Sequence, residues 1–444
     1  MFKNYKLLLA ALLAFSGLNA HAEDINMTTS KAVGETFTLA LNAGVHATIT
    51  WADGTTDEFL SRAVPVELKL KSQTFTLSSR DNITAIYAPD DGLTDIDLSK
   101  VRTGLQRLYV AGNELTSLNL RNHTALAELD VQGNKLTDLR LRGNVLRYLN
   151  CSNNQLDAIT QTLSSSMVCL SCANNQLKEL PNASNMSQLQ TLFCQNNQIS
   201  SLNIAGSTLL ETIVATQNEI ETLDASKMSH LRDVWLGYNK LATLDISKAP
   251  YIESVIVNNN ELDNITWNDE ADSTLSYICL SDNKLYFKSM PTIYNTTSRD
   301  YVMDVHEIGT QHPFFLSEDV NVNERQDWRD FLARNAWNAN ITPQVTVTNG
   351  AGETLQSGTD YNVASNRFTF KNAQKGVQLH VTSRYYPNIE LVSQPFNVVD
   401  PTGIENIQTD SPASNGDWYT LQGVRVTNPT KGVFIHNGKK VIIK

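Results

Sequence analysis

The sequence is poor in the clusters that catalysis and metal binding need. Its eight histidines (21, 46, 123, 230, 306, 312, 380 and 436) are scattered, and no two stand at metal-ligand spacing. It contains no G-x-S-x-G, no H-E-x-x-H and no phosphate-cradling glycine loop. The segment "DGTTDEF" carries carboxylates, but not at the spacing of a calcium loop, and reads as a solvated turn. The expectation is a non-catalytic chain with no cofactor and no metal. Long apolar runs are also missing: after residue 22 nothing approaches the ~20 apolar residues a membrane helix needs, so no membrane insertion is expected. Positive charge is short as well, 35 Lys and Arg against 46 Asp and Glu. A net charge of −11 disfavours nucleic acid and anionic membrane surfaces as partners.

What is present begins with a leader. Lys3 and Lys6 precede the apolar run "LLLAALLAF", and Ala20, His21 and Ala22 close it with small residues, so residues 1–22 read as a cleaved signal peptide. Its removal takes the net charge to −13, and no cysteine follows the cut to suggest a lipid anchor.

"LNCSNNQL" at 149–156 returns as "LSCANNQL" and again as "LFCQNNQI". In register, the copies follow L-x-x-L-x-L-x-x-N-x-L-x-x-L. The asparagine position holds Asn113, Asn134, Asn154, Asn175, Asn197, Asn218, Asn239, Asn260 and Asn283, at spacings of 20–23 residues, with Asp91 in a worn earlier copy. Such a period and signature predict a mainly β leucine-rich-repeat solenoid of about ten repeats. One repeat exposes an apolar face that only stacking buries. The asparagine has both an acceptor and a donor, so it can satisfy backbone groups in its own repeat and the next where the strand turns inward. It is therefore expected to be structural.

The five cysteines all lie between 151 and 279. Cys151, Cys172 and Cys194 share one repeat position that points inward. Strands about 4.8 Å apart set their Cβ atoms wide for a disulfide, so a column of buried free thiols is expected, with one strained disulfide in an oxidising compartment as the alternative.

Strand residues pointing away from the core form columns on the concave face. The middle column reads Tyr87, Tyr109, Asp130, Asn150, Ser171, Phe193, Val214, Trp235, Ile256, Cys279. Phe193, Val214, Trp235 and Ile256 make an apolar stripe, with Tyr238 and Tyr277 on neighbouring columns. Gln155, Gln176, Gln195, Asn196 and Gln198 are expected to form an amide-rich rim beside it. Cys279, in the same column, is expected to be accessible. Strands favour aromatic and β-branched residues in any case, but a contiguous stripe with an aromatic anchor and polar rim is the composition of a protein-binding hot spot. The alternative is glycan binding, since a flat ring beside amide side chains also suits sugars. A monomer is expected in either case.

The flanks read as β structure. Residues 23–80 ("ETFTLAL", "ATITW", "VPVELKL", "QTFTLSS") predict an N-terminal β cap, which a solenoid end requires. The solenoid is expected over 81–286 and an immunoglobulin-like β-sandwich over 287–400, with "NGAGETLQSGTDY" a hairpin connection and "RQDWRDFLARNAW" one short helix. Residues 401–417 read as a polar linker, and 418–444 as short strands around an Asn437-Gly438 turn.

"LNCSNNQL" and "LATLDISKAPYIESVIVNNNEL" resemble the repeats of secreted leucine-rich-repeat proteins of the Bacteroidetes. The tail "WYTLQGVRV…PTKGVFIHNGKKVIIK" resembles the sorting domain read by the type IX secretion system. The resemblance implies export through the outer membrane, followed by release or attachment. The expected protein is an exported recognition or adhesion protein, secreted or on the outer cell surface, with the periplasm as the alternative.

Overall fold

The computed structural model describes residues 22–101, 104–141, 145–159, 163–180, 185–268, 274–290, 311–314, 316, 318–328, 343–383, 386–400, 417–421, 423–427, 429–436 and 439–443. The signal-peptide reading, the linker reading and the Asn437-Gly438 turn fall almost wholly outside them.

Period-two alternation builds the first sheet. Ile25 and Met27 of β1 (Glu23–Thr29) point into a core with Ile49 and Trp51 of β3 (His46–Trp51) and Phe75 and Leu77 of β6 (Thr74–Ser79). Phe75 packs edge-on to Phe37 at 5.1 Å and against Trp51 at 5.3 Å. The sheet order is β4-β3-β6-β1-β8, with β4 spanning Thr56–Leu60 and β8 Leu93–Asp97. Strand β8 belongs to the first repeat. Conversely, β2 (Thr36–Leu41) and β5 (Val66–Lys69) extend the repeat sheet through β7 (Ala85–Tyr87), with Ala40 opposite Tyr87. The cap and the repeats thus exchange strands across the residue 80/81 boundary, each supplying the outer strand of the other's sheet.

Ten three-residue strands, Ala85–Tyr87 to Tyr277–Cys279, form one parallel sheet. Each has its central residue (Leu129, Leu149, Leu170, Leu192, Ile213, Val234 among them) fully or almost fully buried. Two positions on, a second buried row runs Val110, Val131, Cys151, Cys172, Cys194, Ala215, Leu236. All five cysteines are free thiols. Burial pushes the Cys151 and Cys194 thiols up to about 12, and the Cys172 thiol well up also.

The asparagine ladder has the same geometry at every rung. Asn197 accepts the N–H of Leu177 at 2.9 Å and donates to the carbonyls of Cys172 at 3.0 Å and Cys194 at 3.1 Å. Asn134, Asn154, Asn175, Asn218, Asn239, Asn260 and Asn283 repeat the pattern. The first rung differs for a physical reason. No earlier repeat offers Asp91 a carbonyl, so an amide donor has no task there. The carboxylate instead takes Lys31 Nζ at 2.6 Å and the N–H of Thr38 at 3.0 Å from the cap. Burial holds the Asp91 carboxyl above the usual range, while Lys31 and Thr38 pull it down.

The residue before each ladder asparagine is in the left-handed region throughout: Asp90, Gly112, Gly133, Asn153, Asn174, Asn196, Gln217, Tyr238, Asn259 and Asp282, with φ between +54° and +66°. Asparagine and glycine tolerate that conformation best. This explains the doubled "NN": the first asparagine turns the chain and the second ties it.

The chain divides into two compact units: residues 1–314 with 332–344 and 381–391, and residues 315–331, 345–380 and 392–444. The second unit is β-rich. Arg325–Asp327 is a strand paired antiparallel with Arg367–Phe370, which pairs with Tyr361–Ala364. Trp328 is buried against the rings of Phe368, Phe370 and Phe396. The start of "RQDWRDFLARNAW" is therefore extended rather than helical, because strand pairing and an aromatic cluster claim it; the rest lies outside the described residues. The hairpin at "NGAGETL" forms, with Thr348 bridged antiparallel to Thr354. Trp418–Thr420, Arg425–Val426, Gly432–His436 and Lys439–Ile443 make a four-stranded sheet, with Trp418 stacked on His436 at 4.1 Å.

Candidate binding face

Strand register places the middle column in one row, from Tyr87 through Tyr109, Asp130, Asn150, Ser171, Phe193, Val214, Trp235 and Ile256 to Cys279. A parallel row on the same face holds Arg107, Glu128, Tyr148, Cys169, Thr191, Thr212, Asp233, Ser254 and Tyr277. Parallel pairing repeats one backbone geometry at each strand, so like positions line up without offset.

The first end of the face is polar and internally tied. Tyr87 and Tyr109 stack at 4.8 Å, Tyr109 donates its hydroxyl to Glu128, and Arg107 pairs with Glu128 at 3.3 Å. Burial, reinforced by Glu128, raises the Tyr109 phenol far above its ordinary value.

The other end is apolar. Trp235 is 36% exposed at the centre of the stripe, and its indole N–H donates to Ser254 Oγ at 2.9 Å. That bond satisfies the ring's one polar atom and leaves its apolar surface to face outward. Phe193 and Ile256 are half-buried on either side. Tyr238, 54% exposed, is the largest side chain in the left-handed row, and Tyr277 stands half-buried opposite Ser254.

Three expectations need correction. Val214 is only 7% exposed: its short side chain lies between Phe193 and Trp235 on the paired strands and offers little surface. Cys279 is 5% exposed, so it is not an accessible thiol; the half-exposed cysteine of this face is Cys169. Burial raises the Cys169 thiol to about 11. The amide rim also divides. Only Gln195 adjoins the stripe, one residue beyond the buried Cys194. Gln155, Gln176 and Gln198 lie past the left-handed residue and the ladder asparagine, beyond the corner. Their column is exposed and contains the ion pairs Glu114–Lys135, Glu219–Lys240 and Glu261–Lys284. Gln195 Oε1 is out of solvent contact and accepts no hydrogen bond among the described residues. Asn196 belongs to the left-handed row, where it donates to Asn174 Oδ1 at 2.5 Å and Asn174 donates to Asn153 Oδ1 at 2.8 Å.

Sequence reasoning places Asp130 in the middle column without singling it out and misses Asp233; both are half-buried carboxylates on this face. Asp130 accepts the N–H of Gln132 at 3.1 Å, and Asp233 accepts Thr212 Oγ1 at 3.2 Å. Among the described residues neither forms an ion pair. Burial raises both carboxyls above the usual range. Reading the columns for charge as well as for apolar residues would have singled them out.

A parallel sheet of stacked repeats, locked by an internal amide ladder, defines a leucine-rich-repeat solenoid. A family model described as leucine rich repeats (2 copies) matches residues 165–206. Among solved structures, the chain is similar to YopM, a leucine-rich effector protein from Yersinia pestis. The match has 25% identity and a TM-score of 0.39, and covers 48% of this chain and 58% of that one. It is similar also to InlP of Listeria monocytogenes (15% identity, 68% of this chain, 83% of that one, TM-score 0.39). The functional domain of InlJ from the same organism, whose description includes a cysteine ladder, gives 17% identity, 72% of this chain, 92% of that one and a TM-score of 0.35. The chain thus spans under two thirds of the length of the YopM effector. No curated protein matches it.

Proposed function

We propose that the protein is an exported, non-catalytic recognition or adhesion protein whose concave face binds a protein partner. The observation that carries this reading is Trp235: a large ring left 36% exposed between half-buried Phe193 and Ile256, with its polar atom already bonded to Ser254. Stacked repeats offer extended concave surfaces of this kind for binding, and buried aromatic anchors dominate protein interfaces. Tyr238 adds support. A bulky aromatic residue is held at φ +57° where the other repeats use Gly, Asn, Asp or Gln, and strain of that sort gathers at functional sites. Phe193, Trp235, Tyr238, Ile256 and Tyr277 form the contact surface, with Gln195 at its edge.

Export rests on the leader at residues 1–22 and on the tail resembling a type IX sorting domain. The structured part of that tail is the four-stranded sheet between Trp418 and Ile443.

The test is a pull-down from surface and secreted proteins with the full mature chain and its Trp235→Ala variant. Loss of an interface tryptophan costs about 2 kcal/mol or more, roughly thirtyfold in affinity, so the variant is expected to lose its partner while its melting temperature stays within about two degrees. Capture of the same protein by both forms would refute the concave-face reading. Deleting Trp418–Lys444 is expected to misdirect the protein on cell fractionation without unfolding the repeats. Unchanged surface delivery would refute the sorting role.

A further inference from the structure

The strand rows carry two carboxylates that accept one hydrogen bond each within the protein but form no ion pair among the described residues. These two, Asp130 and Asp233, are half-buried, while Gln195 Oε1 is sequestered without a donor among the described residues. Arg107 is the one cation in the strand rows, and Glu128 already holds it. Arg232, next to Asp233, is bonded to Glu253 instead. Buried carboxylates are ordinarily paired, because an unpaired charge loses its hydration with no return. All three groups face the same surface as the stripe, with Asp130 and Asp233 at opposite ends of the Phe193 region.

Resting on the protein-binding reading above, we infer that the partner is an extended basic polypeptide segment with two cationic residues bracketing an apolar one. Five strand spacings separate Asp130 from the strand of Asp233. At about 4.8 Å each this is about 24 Å, the length of roughly seven extended residues. Phe193 lies three spacings from Asp130, so the apolar side chain falls about four residues from the first cation. The second cation reaches Asp233, its aliphatic stem lying along Trp235, two residues away on the same strand and face. An arginine suits either end, since its planar fork meets a carboxylate with two donors.

The test uses the full mature chain on an array of immobilised peptides about fourteen residues long. On a Ser/Gly background, the positions of two arginines and one phenylalanine are varied, and a matched set carries glutamate in place of arginine. Capture is expected to peak with the arginines about seven positions apart and the phenylalanine between them. Asp130→Asn and Asp233→Asn are each expected to weaken it by about tenfold, and Trp235→Ala to abolish it. Equal, Trp235-dependent capture of the glutamate set would overturn the inference while leaving the protein-binding face standing. Capture of no peptide, or capture indifferent to Trp235, would overturn both. So would Trp235-dependent binding on a parallel glycan array, which would put sugars in the place of protein.

Discussion

Gln311 accepts the backbone N–H of Leu285 at 3.0 Å, the bond that a ladder asparagine makes in every preceding repeat. Its amide also donates to the carbonyl of Leu280 at 2.9 Å. A longer side chain, arriving from beyond the repeats, thus closes the last rung. Gln311→Ala leaves the Leu285 N–H unpaired, while the Leu280 carbonyl keeps the amide of Asn283, at a local cost of about 1–3 kcal/mol. Faster hydrogen exchange is expected at the Leu285 amide, with the first repeats unchanged. The interior counterpart, Asn197→Ala, is expected to lower global stability by about 1–3 kcal/mol in denaturant unfolding, whereas exposed Gln198→Ala changes it little. Equal effects at 197 and 198 would contradict the ladder's role.

The thiols separate by burial. Cys151, Cys172, Cys194 and Cys279 are expected to resist alkylation in the native protein and to react after unfolding, while Cys169 reacts slowly without unfolding. Because the thiolate is the nucleophile and burial holds the Cys169 thiol at about 11, its labelling rate is expected to climb about tenfold per pH unit from 7 to 10. Rapid native labelling of Cys151 would mean that the strand register is wrong.

Tyr238 is where stability and binding are expected to part. A non-glycine residue in the left-handed region carries a steric penalty of about 1–2 kcal/mol that asparagine partly escapes. Tyr238→Asn is therefore expected to raise stability by up to about 1 kcal/mol and to weaken partner binding. A destabilised variant would show that Tyr238 is held by packing rather than kept for contact.

Asp130 and Asp233 set a pH signature. Their carboxyls are raised in the folded protein, chiefly by burial; Thr212 and Arg232 oppose this at Asp233, and Glu253 adds to it. A raised folded value means that the folded chain holds the proton more tightly than the unfolded chain. Their contribution to stability is therefore full below the ordinary carboxylate range and is lost as pH rises through the folded values. Asp130→Asn and Asp233→Asn are expected to melt higher than the parent at pH 7, with the advantage shrinking toward pH 3. A lower melting temperature at pH 7 would show that the carboxylates are satisfied within the fold.

The column that carries the candidate site was legible in the sequence because solenoid stacking is nearly one-dimensional. Once Asn154, Asn175 and Asn197 are aligned, the row Phe193, Val214, Trp235, Ile256 follows. Exposure was not legible to the same degree. Val214 and Trp235 occupy equivalent positions, yet one is covered and the other open, because a short side chain between two large neighbours loses contact with water. Gln155 and Gln176 follow their asparagines by one residue, but the left-handed turn carries them past the corner.

The sequence by itself determined the repeat, its register, the inward cysteine column and the structural role of the asparagines. Each depends on contacts between residues about one period apart, and the period is written in the chain. The tertiary structure decided how the stack ends: Asp91 is met by Lys31, sixty residues earlier, and Leu285 by Gln311, twenty-six later. It also decided that Asp130 and Asp233 are half-buried and form no ion pair among the described residues. Terminal rungs and unpaired charges depend on which distant groups arrive beside them, and no local spacing encodes that.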